Sequence, residues 1–130
     1  MGGRTFVIGD IHGEIDHLRR LVARMPDVGA SDTVVFLGDY VDRGARSREV
    51  VNAVRGLDRD TGCQVVCLRG NHEDAWLRVM DGGWPGFLLP PGNGCIATLN
   101  SYRGAPADAA LDKAEFEALF TGSFFPREVV

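Results

Sequence analysis

The chain has 130 residues, of which 45% are hydrophobic and 25% charged, so it has room for one apolar core, residues 1–130 forming a single domain, and excludes a disordered or repeat-built protein. Its net charge of −4 argues against nucleic acid as a partner, because phosphate backbones require a basic face. No apolar stretch approaches the length that spans a membrane, and an acid arrives too early in MGGRTFVIGD for a signal peptide.

The first apolar run, Phe6-Val7-Ile8, is short, rich in strand-forming residues and closed by Gly9, and so reads as a buried strand. From Glu14 the spacing of Ile15, Leu18, Leu21, Val22 and Met25 predicts a helix that Pro26 ends. Val34-Val35-Phe36-Leu37 reads as a second buried strand. Ser47 is then the expected N-cap of a helix carrying Val50, Val51, Val54 and Leu57, with Gly56 near its end. Val65-Val66-Cys67-Leu68 gives a third strand, with Cys67 as a small core residue. A third helix is expected from near Glu73 through Trp76, Leu77 and Met80 to Gly82-Gly83. The Gly/Pro-rich stretch Asp81–Gly94 reads as a loop, and Asp108–Phe120 as a last helix built on Leu111, Phe116, Leu119 and Phe120. Strand alternating with helix implies a parallel α/β sheet.

Each predicted strand runs into a residue that can bind a cation: Gly9-Asp10, Gly38-Asp39 and Gly70-Asn71. The carboxyl edge of an open α/β sheet is where ligands bind, and a glycine lets the backbone turn closely beneath them. Two divalent ions about 3.5–4 Å apart clamp the attacking and leaving oxygens of an in-line phosphoryl displacement. Such a pair needs carboxylates, imidazoles and an amide oxygen, and Asp10, His12, Asp39 and Asn71 supply that set. His72, beside Asn71, is placed to protonate a leaving group, with Asp42 as the carboxylate that holds its imidazolium form. Arg43 offers a planar fork for phosphate oxygens, and Arg69 a second.

Simpler roles compete for several of these residues. Asp10 or Asp39 alone suits a helix N-cap, and Glu14 and Glu73 suit a first helical turn. His17 reads as a surface residue, Trp76 as core and Trp84 as loop packing. Cys63, Cys67 and Cys95 lack a Cys-x-x-Cys spacing and read as free thiols in a reducing cytoplasm.

GDIHG (9–13), GDYVDRG (38–44) and LRGNHE (68–73) together resemble the motifs of the phosphoprotein phosphatase family of calcineurin-like metallophosphoesterases, over roughly Thr5 to Trp76. Asn93–Tyr102, NGCIATLNSY, is similar to the NGG-x-x-T-x-x-SY segment of that family's bacterial serine/threonine phosphatase branch. The resemblance implies the amino-terminal βαβαβ half of a metallophosphoesterase sandwich, two divalent ions (manganese first, iron or zinc as alternatives) and a cytoplasmic hydrolase. It implies metal roles for Asp10, His12, a bridging Asp39 and Asn71, phosphate binding by Arg43 and Arg69, and His72 as general acid oriented by Asp42. The expected substrate is phosphoserine or phosphothreonine in proteins, or another small phosphoester, attacked by a water held between the ions. A symmetric dinucleoside tetraphosphate is the alternative substrate.

Family members carry two further metal-binding histidines and a later phosphate-binding arginine. Here the histidines are His12, His17 and His72 alone. The tail from Phe124 to Val130 resembles the entry to the strand before the first missing histidine. The expectation is therefore a truncated chain with an incomplete second metal site, binding one ion with little turnover, or acting only as a metal- and phosphate-binding fragment.

Overall fold

The structure, a computed structural model, describes residues 2–81 and 94–110. Most of the loop expected over Asp81–Gly94, Trp84, the tail from Phe124, and all but the first three residues of the helix expected over Asp108–Phe120 lie outside that range.

Three four-residue strands form the sheet: β1 (Thr5–Ile8), β2 (Thr33–Phe36) and β3 (Gln64–Cys67). They pair in the order β1-β2-β3, all parallel, with Phe6 opposite Val34 and Val34 opposite Val65. Parallel neighbours need a crossover, which α1 (Ile15–Arg24) and α2 (Ser47–Thr61) provide, followed by α3 (Asn71–Met80). This is the expected α/β order. The apolar stripes of α1 and α2 close on one face of the sheet, where Ile8, Ile15, Leu18, Val34, Phe36, Val50, Val54 and Leu57 are buried. Removing a core ring such as Phe36 costs about 3–5 kcal/mol in cores of this kind.

Several expectations fail in instructive ways. Among the described residues the strands are covered on one face only: Val7 is 60% exposed while Ile8 is 6% exposed, because successive residues point to opposite sides. Cys67 is exposed rather than core, since it ends β3, which has one strand neighbour among the described residues. Ser47 is not an N-cap but the first helical residue, with its buried hydroxyl turned toward Asp42. Gly56 lies inside α2, which runs on to Thr61 and stops at Gly62, where φ is 74°. The third helix starts at Asn71, two residues earlier than expected. A further helix, α4 (Cys95–Arg103), packs on α2 where no element had been assigned.

Candidate metal and phosphate site

The turns after β1, β2 and β3 meet at the carboxyl edge of the sheet. Ile11 N and His12 N both donate to Asp39 O at 3.0 Å, and Gly13 N donates to Tyr40 O at 2.9 Å. The first turn is thereby laid against the second. A Cβ on Gly38, at φ 110°, would stand 2.3 Å from Gly70 N, so the second and third turns touch backbone to backbone. Four non-glycine residues in these turns have positive φ: His12 (45°), Asp39 (55°), Asp42 (73°) and Arg43 (72°). Such angles disfavour side chains and persist where surrounding contacts over-determine the backbone.

One ligand atom from each of Asp10, His12 and Asp39 lies within 4.8 Å of the others. The three differ in exposure. The Asp10 side chain is 63% exposed and that of His12 14%, whereas Asp39 is buried. His12 Nδ1 is engaged by Val41 O at 2.8 Å, so Nε2 is the nitrogen left for the cluster, 3.7 Å from Asp10 Oδ2. That is the usual division of labour in a metal-binding imidazole, one nitrogen oriented by a carbonyl and the other left to ligate. Asn71 lies with its amide against the Asp39 carboxylate. In one amide orientation its nitrogen donates to Asp39 Oδ2 at 2.8 Å; in the other, two acceptors face each other, an arrangement that a cation between them relieves. The donor set therefore fits a divalent ion at Asp10, His12 and Asp39, with the Asn71 amide against the Asp39 carboxylate.

His72 joins this group. Its ring centroid lies 4.7 Å from that of His12, edge to face, and its backbone N–H donates to Asp39 Oδ1 at 3.0 Å. Its Nδ1 is 2.6 Å from Asp42 Oδ2. A carboxylate only accepts, so Nδ1 carries the proton. Asp42 is fully buried, and its Oδ1 accepts from Trp76 Nε1 at 2.9 Å and Thr98 Oγ1 at 2.7 Å. The two arginines part company here. Arg43 follows Asp42, is exposed and makes no side-chain ion pair among the described residues. Arg69 instead stands 3.6 Å from Asp74, which also binds Arg78 at 3.0 Å.

Glu73 does far more than charge a helical turn. It is wholly buried, and its carboxylate accepts from Asp39 N at 2.6 Å, Tyr40 N at 3.0 Å and Gly70 N at 3.0 Å. Burial pushes its pKa up, against the lowering effect of those backbone donors. Capping-box spacing from Gly70 signals the last contact, but nothing local signals the reach to Asp39. Trp76, four residues after His72, sits on the same helical face and joins the core as expected, but its indole nitrogen also serves Asp42. Thr98 and Ser47 carry no site role in the sequence reading, Ser47 being expected only as an N-cap. His17 is peripheral, its ring exposed and 3.2 Å from Glu14.

Among the described residues, no helix is long and apolar enough to cross a membrane. The calcineurin-like phosphoesterase family profile matches residues 3–122. A symmetrical bis(5'-nucleosyl)-tetraphosphatase of Sodalis glossinidius is 41% identical over 78 residues, 60% of this chain and 26% of that protein. The serine/threonine-protein phosphatase BSL2 of Arabidopsis thaliana is 33% identical over 81 residues, 58% of this chain and 8% of its own length. A solved Saccharomyces cerevisiae protein serine/threonine phosphatase with similarity to human phosphatase PP5 is 28% identical, with a TM-score of 0.43 over 55% of this chain and 26% of that one. The matches thus span at most about a quarter of these relatives' own lengths.

Proposed function

The chain belongs to the calcineurin-like phosphoesterase family, and from that premise we propose that its site hydrolyses phosphomonoesters, phosphoserine and phosphothreonine of proteins above all. One observation carries the reading: three potential ligands within 4.8 Å of one another stand beside an imidazole backed by a buried carboxylate. Asp10, His12 and Asp39 would hold one divalent ion, and Asp39 with Asn71 would provide two ligands toward a second. Manganese suits this oxygen-rich set with imidazole, with iron or zinc as alternatives. Bound there, such ions supply a Lewis acid for phosphate oxygens and lower the pKa of water.

The chain's own groups do the rest. Arg43 holds phosphate oxygens with its planar fork. His72 Nδ1–H is tied to Asp42, which leaves Nε2 to carry a proton to the departing alkoxide. The Asp42 carboxylate accepts that Nδ1–H and fixes the ring's tautomer. Arg69 contributes to phosphate binding once it exchanges Asp74 for substrate.

A second substrate reading, a symmetric dinucleoside tetraphosphate, is favoured by the 41% identity to the Sodalis tetraphosphatase. The threonine-bearing segment NGCIATLNSY (93–102) favours the protein-phosphate reading. The test sets phosphoserine and phosphothreonine peptides, 4-nitrophenyl phosphate and diadenosine tetraphosphate before the purified protein with manganese. Slow phosphate release from the peptides and aryl ester, limited by the two-ligand second site and removed by chelation, is expected. Faster cleavage of the dinucleotide transfers the assignment to the second reading. Bound manganese with no cleavage of any ester overturns the hydrolase reading in favour of a binding role.

A further inference from the structure

Behind the His72–Asp42 pair lies a polar layer that no step above uses. Thr98 bonds twice to Asp42: its Oγ1 accepts the Asp42 backbone N–H at 2.7 Å and donates to Asp42 Oδ1 at 2.7 Å. The Ser47 hydroxyl lies 3.2 Å from both Asp42 N and Thr98 Oγ1. Thr98 and Ser47 are wholly buried. Thr98 comes from α4, 56 residues beyond Asp42, an element that brings no candidate ligand to the site.

We infer that Thr98 is a positioning residue for the His72–Asp42 pair, through which α4 fixes the direction of the Asp42 carboxylate. This rests on the hydrolase reading for its meaning in turnover, though not for its geometry. Asp42 sits at φ 73°, where its side chain gains nothing from backbone preference, and its carboxylate is free to turn unless both oxygens are held. Oδ2 serves His72, and Oδ1 is pinned by Trp76 and Thr98. The hydroxyl's direction is also set. With the Asp42 N–H on its lone pair, its single proton goes to Oδ1, so backbone and carboxylate of one residue are locked together. A valine of the same shape leaves the buried amide only its longer bond to Ser47 Oγ and one carboxylate lone pair unserved, whereas a serine keeps both Thr98 bonds.

The test uses NMR on the metal-free chain with 15N-labelled histidine, where the His72 Nδ1 proton is assigned by its loss in His72→Asn. In Thr98→Val that proton should exchange with water about tenfold faster, on the scale of one lost bond to a charged group, and Thr98→Ser should restore the original rate. A merely structural threonine would change stability and leave that proton alone. Unchanged exchange in a folded Thr98→Val chain overturns the inference. If that variant does not fold, the unsubstituted chain decides: the Thr98 hydroxyl proton should be visible, with a cross-peak to the Asp42 amide, and its absence overturns the role. With manganese, Thr98→Val should lower kcat about tenfold for phenyl phosphate, whose leaving group needs a proton, and less for 4-nitrophenyl phosphate, with KM unchanged. Equal losses on both esters refute the positioning role. Faster exchange in a chain that hydrolyses neither ester leaves the positioning of Asp42 established and removes the hydrolase reading instead.

Discussion

The carboxylate of Glu73 accepts the backbone N–H of Asp39 at 2.6 Å, across 34 residues of sequence. It ties the first turn of α3 to the turn that presents the most deeply buried of the three clustered ligands. Oε1 also takes Gly70 N and Oε2 takes Tyr40 N, so both oxygens are needed as acceptors. Glu73→Gln replaces one of them with a donor that faces an N–H. The expected loss is about 2–4 kcal/mol of stability, read as a lower denaturation midpoint, and at least about tenfold weaker manganese binding by calorimetry. An unchanged midpoint would show that the three backbone donors find water instead.

Glycine at 38 is required by space as well as by angle. Gly38→Ala puts a methyl 2.3 Å from Gly70 N at a φ of 110° and must part β2 from the start of α3, costing about 3 kcal/mol or more. Gly62→Ala, at φ 74° with nothing within 4 Å, meets only the left-handed penalty of about 1–2 kcal/mol. Chemical denaturation of the two variants separates the effects, and equal losses would mean that contact at Gly38 is not the cause.

Removing the proposed general acid should spare the proposed ligands. His72→Asn is expected to lower turnover at least about a hundredfold, at the low end of general-acid contributions, with manganese affinity mostly intact. Full activity in that variant would take His72 out of the mechanism.

One tight manganese site per chain is expected, formed by Asp10, His12 and Asp39, because among the described residues Asn71 and a shared Asp39 are the two ligands offered to another ion. At a hundred times its dissociation constant the ion adds about 2.7 kcal/mol, a rise in Tm on the order of 10 °C. Chelation should reverse the rise and Asp39→Asn should abolish it. Calorimetry showing two tight sites would mean that ligands are recruited from elsewhere, a second copy included.

Away from the site, Arg4 donates to Asp32 Oδ1 and Oδ2 at 3.2 and 2.9 Å, and its guanidinium holds the Asp32 pKa well below the usual carboxylate range. The unfolded chain therefore binds this proton first as pH falls. The contribution to stability is full above the ordinary aspartate pKa of about 4 and is lost progressively below it. Asp32→Asn should flatten the acid limb of a stability-against-pH curve. An identical limb in the variant would assign acid sensitivity to other carboxylates.

Elements whose buried face is apolar were legible from spacing: the three strands, α1, α2 and α3 fall within a few residues of expectation. Helix α4 was not, because its buried residues Cys95, Ala97, Thr98, Leu99 and Asn100 mix polar with apolar and form no stripe. At the candidate site, the three turn motifs located Asp10, His12, Asp39, His72 and Asp42. What holds them was hidden, since Glu73, Trp76 and Thr98 act through contacts 30 or more residues away. Arg69 carries a contact that its motif does not signal: its guanidinium stands 3.6 Å from Asp74, five residues on.

The interlocking of the turns bears on how this region opens. Gly44 N donates to His12 O at 2.8 Å and Arg43 N to Gly94 O at 3.0 Å, while Gly13 and Gly44 approach too closely for a Cβ on either. Each bond joins one loop to another, so no loop can loosen without stripping its neighbour's amides. The region is built to exchange its backbone hydrogens as one cooperative unit, with His12, Gly13, Arg43 and Gly44 sharing a single opening free energy. Breathing at the site is therefore expected to be an all-or-none event, with the ligand geometry kept or lost as a whole.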